Sequence, residues 1–160
     1  MKKKITSAIL FFIILPSLFY FAGGCDDSGV EEKGDHVTGY VTFTDTNLTQ
    51  NGYYAISMFE NKSNPFYSKP LRSDALTMTK NGNQYKCYYK FSGVASGSYY
   101  FAVTFNRTPI DTVRVPPVLG TWGCDNNPNC TAHKLVVFPN YSYEDCNILS
   151  WTDTLKRLNP

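Results

Sequence analysis

Cysteine is the residue type in this chain with the widest range of chemical roles: disulfide formation, metal binding and covalent modification. Four cysteines, Cys87, Cys124, Cys130 and Cys146, lie in its second half, and Cys25 lies near its start. An even set of four thiols in an exported chain predicts two disulfides, for which three pairings are open. Cys124 and Cys130 flank the short polar stretch DNNPN and are the natural local pair, which leaves Cys87 and Cys146 to join distant strands.

Metal binding is the alternative use of this region. A structural zinc site usually draws on close CxxC pairs or paired histidines, and the sequence has neither. Calcium takes about six to eight oxygen ligands, and Asp125, Asn126, Asn127 and Asn129 offer a few of them. One carboxylate is too little charge for firm binding, so we expect a disulfide-closed turn, with no metal and no cofactor.

Groups for acid–base or nucleophilic catalysis are few. The two histidines, His36 and His133, stand at no motif spacing with a carboxylate or nucleophile, and we expect both to be solvated loop residues. Glu144 and Asp145 precede a predicted strand and are typical of a solvated turn, whereas a glycosidase needs two carboxylates held apart across a cleft. No phosphate-binding glycine loop or HExxH motif occurs. A triad assembled in space stays open, but we expect a protein that is not an enzyme.

The N-terminal segment has the pattern of a secretory signal. Lysines at positions 2–4 precede an apolar run from Ile5 to Phe21, and no acid occurs before Asp26. A run of this length could also span a membrane as a helix. Pro16, the small residues at 22–24 and the lack of a basic stop sequence argue against a retained helix.

The small residues directly before Cys25 resemble the lipobox of bacterial lipoproteins, with Ala22 where leucine is usual. The resemblance implies that residues 1–24 are a cleaved lipoprotein signal peptide and that Cys25 is lipidated. Its sulfur would carry a diacylglycerol and its new amine an acyl chain such as palmitate. Two or more chains hold a protein at a membrane, whereas one binds reversibly. The alternative is an ordinary signal followed by a cysteine that forms a disulfide.

The hydrophilic, turn-rich residues 25–36 predict a flexible acidic tether. By resemblance, an aspartate after the lipidated cysteine retains enterobacterial lipoproteins at the inner membrane. In other groups acidic tethers accompany outer-membrane or surface placement. We expect a protein of the bacterial cell envelope, anchored to a membrane by lipid, at the outer membrane or cell surface rather than the inner membrane.

The charge of the chain gives no sign of a nucleic-acid partner. The formal charge of +2 includes the three signal lysines; without them 12 basic residues face 13 acidic ones, a formal −1. A nucleic-acid binder would show a basic stripe with stacking aromatics, and the lysines here are dispersed. We therefore expect no nucleic-acid binding.

Residues 37–160 have the period of two that is typical of β-strands, over a length suited to one domain. In one run, Tyr85, Cys87, Tyr89 and Phe91 would share a sheet face, with Tyr88 on the other. Strands are predicted at about 37–44, 52–60, 73–80, 84–92, 98–106, 111–115, 134–138 and 146–152. Eight short strands predict an all-β fold, a single antiparallel β-sandwich of the transthyretin-like or immunoglobulin-like kind.

The stretch YKCYYKFSGVASGSYYFAVTF, residues 85–105, carries a more specific signature. With Val94 as a buried plug, it resembles the strand–GLxxGxY–strand pattern of transthyretin-like and carboxypeptidase-regulatory-like modules. GYVTF at 39–43 and GYYAISMF at 52–59 are similar to their opening hairpin. The resemblance covers residues 37–106, and the long segment at 116–130 departs from it. It implies a non-catalytic adhesion, carbohydrate-contact or structural domain.

Aromatic side chains are the remaining candidates for binding. Of the 12 tyrosines, Tyr88 and Tyr100 fall at predicted outward positions, and Trp122 falls in the long loop. Such rings stack on sugars or anchor protein interfaces, although tyrosine is also a structural residue of half-buried sheet faces. We expect a lipid-anchored binding or structural module with a protein or carbohydrate ligand. The alternatives are a subunit or assembly factor of an envelope complex that docks by an exposed strand edge, and a secreted hydrolase or its accessory domain.

Overall fold

The structure, a computed structural model, describes residues 36–108, 115–124, 127, 129–137 and 139–158. These residues belong to one compact unit, Glu32–Pro160. The predicted signal peptide, Cys25 and the tether up to residue 35 lie outside the described residues. Within the described ranges, no helix has the length and apolar character needed to cross a membrane.

The described residues form nine strands and one short 3₁₀ turn, Pro65–Tyr67. The strands are β1 (Val37–Phe43), β2 (Gly52–Glu60), β3 (Arg72–Ala75), β4 (Thr79–Asn81), β5 (Gln84–Phe91), β6 (Gly97–Arg107), β7 (Val118–Thr121), β8 (Leu135–Val137) and β9 (Ile148–Ser150). Sheet A has the order β4-β5-β1-β9, and sheet B the order β3-β2-β6-β7 with β8 also paired to β6. Every strand pair is antiparallel except β1 with β9, which is parallel.

The two sheets pack face to face around one core, which confirms the predicted all-β sandwich. Sheet A contributes Val41 and Phe43, and sheet B contributes Ile56, Phe101 and Val103, all nearly or fully buried. Full burial of such a side chain stabilises the fold by about 1.5–3 kcal/mol. In β5 the burial alternates as predicted, and Val94 is buried between β5 and β6.

The predicted strand at 73–80 is two strands that belong to different sheets. β3 pairs with β2 in sheet B, and β4 pairs with β5 in sheet A. Leu76 lies between them and is buried in the shared core. The chain therefore crosses from one sheet to the other at this point, where the Leu76 side chain is buried in the core that both sheets share.

Strand β7 lies in the segment that the sequence predicted to be a long loop. All four of its residues are buried, and Gly120 lies so close to the Leu149 carbonyl and to Ser150 that a Cβ would overlap them. β7 and β9 therefore meet at the side of the sandwich. The predicted strand at 111–115 lies outside the described residues except for Val115, which is not in a strand.

The cysteines form one of the two predicted disulfides. Cys124 and Cys130 are bonded, with Cα atoms 5.9 Å apart. Cys87 and Cys146 are free and buried, so the second predicted disulfide is not formed. Cys87 lies on β5 and Cys146 leads into β9, and β1 runs between these two strands. Strands separated by a third lie roughly 10 Å apart, beyond the approximately 6.8 Å that a disulfide spans between Cα atoms.

Candidate functional site: the outer face of sheet A

The outer face of sheet A is built by the outward side chains of β1 and β5. Side chains alternate across a strand, so the residues between the buried positions of these strands point away from sheet B. The antiparallel register sets them opposite one another in three cross-strand pairs, Thr38–Lys90, Tyr40–Tyr88 and Thr42–Lys86, of which Thr38 is buried. The face is therefore carried on two central strands rather than on loops.

Tyr40 and Tyr88 form an aromatic pair at the centre of this face. Their ring centroids are 5.5 Å apart in an edge-to-face arrangement. Edge-to-face pairs contribute about 0.5–1.5 kcal/mol beyond the area that they bury. Tyr40 is nevertheless 40% exposed and Tyr88 57% exposed, so much of both rings is still available to a ligand.

Lysine supplies the charge of the face. The Lys86 ammonium lies 4.2 Å from the centroid of the Tyr40 ring, a cation–π contact that restrains this flexible side chain. Lys90 is exposed two residues beyond Tyr88 on β5. The outward side chains of β1 and β5 include no acid, so this part of the face is positive.

Asn147 continues the face towards β9. Its side-chain Oδ1 accepts a 2.8 Å hydrogen bond from the Tyr40 backbone N–H, one step before the parallel pairing of β1 with β9 begins at Val41 and Ile148. The amide therefore replaces a missing ladder partner and is fixed beside Tyr40.

A shallow depression of about 390 Å³ adjoins this edge of the face. It shares Thr42 and Asn147 with the face, and Trp122 forms its aromatic wall. Its lining residues are Thr42, Trp122, Gly123, Cys124, Asn147, Ile148 and Leu149. The tyrosine pair and the depression thus form one continuous surface, called the binding face below.

Trp122 is held in place by the turn that follows β7. Its backbone N–H donates to the Phe101 carbonyl at 3.0 Å, and its carbonyl accepts from the His133 N–H at 3.2 Å. The His133 ring lies edge-on to the indole, 6.1 Å between centroids. Gly123 has φ +84, and a Cβ there would overlap the His133 ring. The Cys124–Cys130 disulfide closes the loop that returns the chain to His133.

The three aromatic residues predicted from sequence do not share one site. Tyr88 lies on the binding face and Trp122 at its depression. Tyr100 lies on β6 in sheet B, half-buried and packed against Phe66 at 5.7 Å, on the other side of the sandwich. Sequence reasoning missed Tyr40, although its alternation with the apolar positions of GYVTF could have placed it outward like Tyr88.

The other candidate groups occupy local structural positions. His133 is exposed, whereas His36 is half-buried and its Nδ1 is 3.0 Å from the Ser142 hydroxyl. Glu144 and Asp145 are exposed, and Asp145 has a left-handed φ of 56. The Asn127 side chain accepts from the Asn129 N–H at 3.0 Å, which closes a local turn. The part of the chain that the structure describes contains no cluster of three or more potential metal-ligating side chains.

No protein-family model, curated protein or solved structure matches the chain.

Proposed function

We propose that this protein is a lipid-anchored, exported module of the bacterial cell envelope that binds a ligand through the binding face and catalyses no reaction. The observation that carries the proposal is the exposed Tyr40–Tyr88 pair. Large aromatic side chains dominate the energy of binding surfaces, and here two of them stand side by side in water.

The position of these rings on the sandwich supports a binding role. β1 is paired on both sides, with β5 and with β9, so Tyr40 stands on a fixed backbone. Tyr88 is supported from beneath by buried Cys87 and Tyr89. A surface that is ordered before binding loses little conformational entropy on contact with its ligand.

The predicted tether would give this face room to meet a ligand at a distance from the membrane. The chain enters the sandwich at Val37, and the outward positions then run from Thr38 to Thr42, which is about 13 Å at the usual rise of a strand. The depression at Trp122 therefore lies towards the end of β1 that is far from Val37. A 12-residue flexible tether has an average reach of about 20 Å, enough to hold the domain clear of lipid headgroups.

In the same proposal the domain is a transthyretin-like or carboxypeptidase-regulatory-like module. The support lies at the signature segment. β5 is in sheet A and β6 is in sheet B, and the connection between them carries buried Val94. Val94 is thus the buried side chain in the connection that crosses between the sheets, which is the position that the resemblance implies for it.

The anchor is tested by the intact mass of protein extracted from membranes, beside a Cys25→Ala variant. We expect residues 25–160 plus acyl chains, less two hydrogens for one disulfide, and a variant that leaves the membrane fraction. A native chain without acyl groups would contradict the anchor and the localisation together.

The binding face is tested by photocrosslinking in intact cells. We would place p-benzoylphenylalanine at Tyr88, and at Tyr67 as a matched control, since Tyr67 is a tyrosine that is 71% exposed and lies beside sheet B. Adducts at position 88 and none at 67 are expected. Absence of adducts at 88, or equal adducts at both, would contradict the proposal. A single stoichiometric protein trapped at 88 would favour a subunit of an envelope complex.

A further inference from the structure

We infer that the ligand of the binding face is an acidic polysaccharide, a chain of sugars that bears carboxylate or sulfate groups. This rests on the proposed function, since it names the ligand class of the same face. Three features of the surface lead to it: the side-chain types, the placement of the lysines, and the depression at Trp122.

The exposed side chains of β1 and β5 suit a sugar better than a protein. They are tyrosine, glutamine and lysine, the half-buried Thr42 adds a hydroxyl, and none is aliphatic. The core of a protein interface is usually apolar and depleted in lysine. A sugar ring has one C–H face that packs on an aromatic ring, and it has hydroxyls that pair with hydroxyl and amide groups such as those of Thr42 and Gln84.

The lysines suit a chain that carries repeated negative charges. Lys86 and Lys90 lie on either side of Tyr88 on the same strand, with Cα atoms about 13 Å apart at the usual rise. They can therefore contact acidic groups on separate sugar units while the intervening sugar packs on Tyr88. The outward positions of β1 and β5 offer no carboxylate that would repel the chain.

The depression lies across β1 from this row of β5 side chains and has room for a sugar unit. Its volume of about 390 Å³ falls within the approximately 300–1,000 Å³ typical of small-molecule sites. Trp122 provides an aromatic wall, and Thr42 and Asn147 bring a hydroxyl and an amide to its edge. Aromatic side chains thus lie both between the two lysines, at Tyr88, and across β1 towards the depression, at Tyr40 and Trp122.

Direct binding to defined polymers tests the inference. The full-length protein in detergent micelles is titrated with polygalacturonate and dextran sulfate, with neutral dextran as the matched uncharged polymer and poly-L-glutamate as the matched charged polypeptide. We expect at least one acidic polysaccharide to bind about tenfold or more tightly than dextran and poly-L-glutamate, the effect of one good contact.

Matched variants test whether the polysaccharide binds at the binding face. Tyr88→Ala, and Lys86→Gln with Lys90→Gln, should each weaken polysaccharide binding by about tenfold, and Tyr67→Ala should leave it unchanged. Because Tyr88 is largely exposed, its variant should keep the thermal midpoint within about 5 °C of the parent.

Three results would overturn the inference. Equal binding of poly-L-glutamate with no effect of Tyr88→Ala would mean that charge alone is recognised. Binding of neither acidic polysaccharide, together with a protein trapped by the crosslinker at position 88, would reject the polysaccharide and leave the proposed function standing. No binding and no adduct would reject both.

Discussion

The Tyr89 hydroxyl donates a 2.6 Å hydrogen bond to the Cys146 carbonyl, and the contact passes over the backbone of Gly39. A Cβ on Gly39 would lie 2.5 Å from the Cys146 oxygen and 3.1 Å from the Tyr89 ring. The bond joins β5 to the chain entering β9 across β1, directly beneath the binding face. Glycine is required here because any larger residue would push the tyrosine and the carbonyl apart.

Gly39→Ala should therefore destabilise the sandwich. Overpacking costs about 1–3 kcal/mol, and loss of the hydrogen bond adds about 1 kcal/mol. Urea unfolding should show a free energy of unfolding lower by roughly 3 kcal/mol. Tyr89→Phe, which removes the hydrogen bond alone, should cost about 1–2 kcal/mol. The double variant should lose less than the sum, since both changes break the same contact; strict additivity would show that the contact does not couple the two residues.

Asp45 should make the stability of the domain sensitive to acid. Its Oδ1 accepts hydrogen bonds from the Thr152 backbone N–H at 2.5 Å and the Thr152 hydroxyl at 2.7 Å, and Lys156 lies 3.4 Å from Oδ2. Burial acts to raise the pKa of Asp45, but the Thr152 hydrogen bonds and Lys156 together hold that pKa below its usual 3.8. A depressed carboxylate pKa stabilises the fold above the unfolded pKa, and this contribution is lost as the pH falls through the folded value.

Asp45→Asn isolates that contribution because it keeps the shape and removes the charge. At pH 7 the variant should unfold more easily by about 1 kcal/mol, the scale of one hydrogen bond. As the pH falls below about 4, the usual range for an unfolded aspartate, the difference between the two proteins should shrink. Urea unfolding at pH 7 and pH 3 measures it. A difference that stays constant with pH would show that the Asp45 charge does not stabilise the native state.

The sequence revealed local structure better than it revealed the pairing of strands that are far apart in the chain. The alternation in β5 and the buried Val94 follow from neighbouring residues, and both were predicted. The Tyr40–Tyr88 pair depends on β1 lying beside β5, two strands far apart in the chain, and no turn between them specifies that register. The sequence also did not reveal that residues 73–80 divide into β3 and β4. The alternation of residues is the same whichever sheet a strand joins, and only the packing of Leu76 marks where the chain crosses.

The free thiols of Cys87 and Cys146 should resist modification in the folded protein. Burial, and secondarily the nearby Asp145 carboxylate, raises the pKa of Cys146 to about 11, and burial also raises the pKa of Cys87. The thiolate is the reactive form, so N-ethylmaleimide at pH 8 should label both residues far more slowly in native protein than in guanidinium. Peptide mapping by mass spectrometry reads each site separately. A Cys87–Cys146 cross-linked peptide in a non-reduced digest would contradict the arrangement of β5, β1 and β9.

The Cys124–Cys130 disulfide should affect both stability and binding, because its loop carries the turn that holds Trp122. Replacing both cysteines by serine frees a short ring and should lower the free energy of unfolding by roughly 2–2.5 kcal/mol. Ligand binding should weaken because His133 loses its fixed position against Trp122. The Tyr88→Ala substitution should weaken binding further when it is added to the serine variant. Tyr67→Ala serves again as the control. Undiminished binding in the serine variant would show that the depression does not contribute to binding. The ligand would then contact only the Tyr40–Tyr88 pair and its lysines.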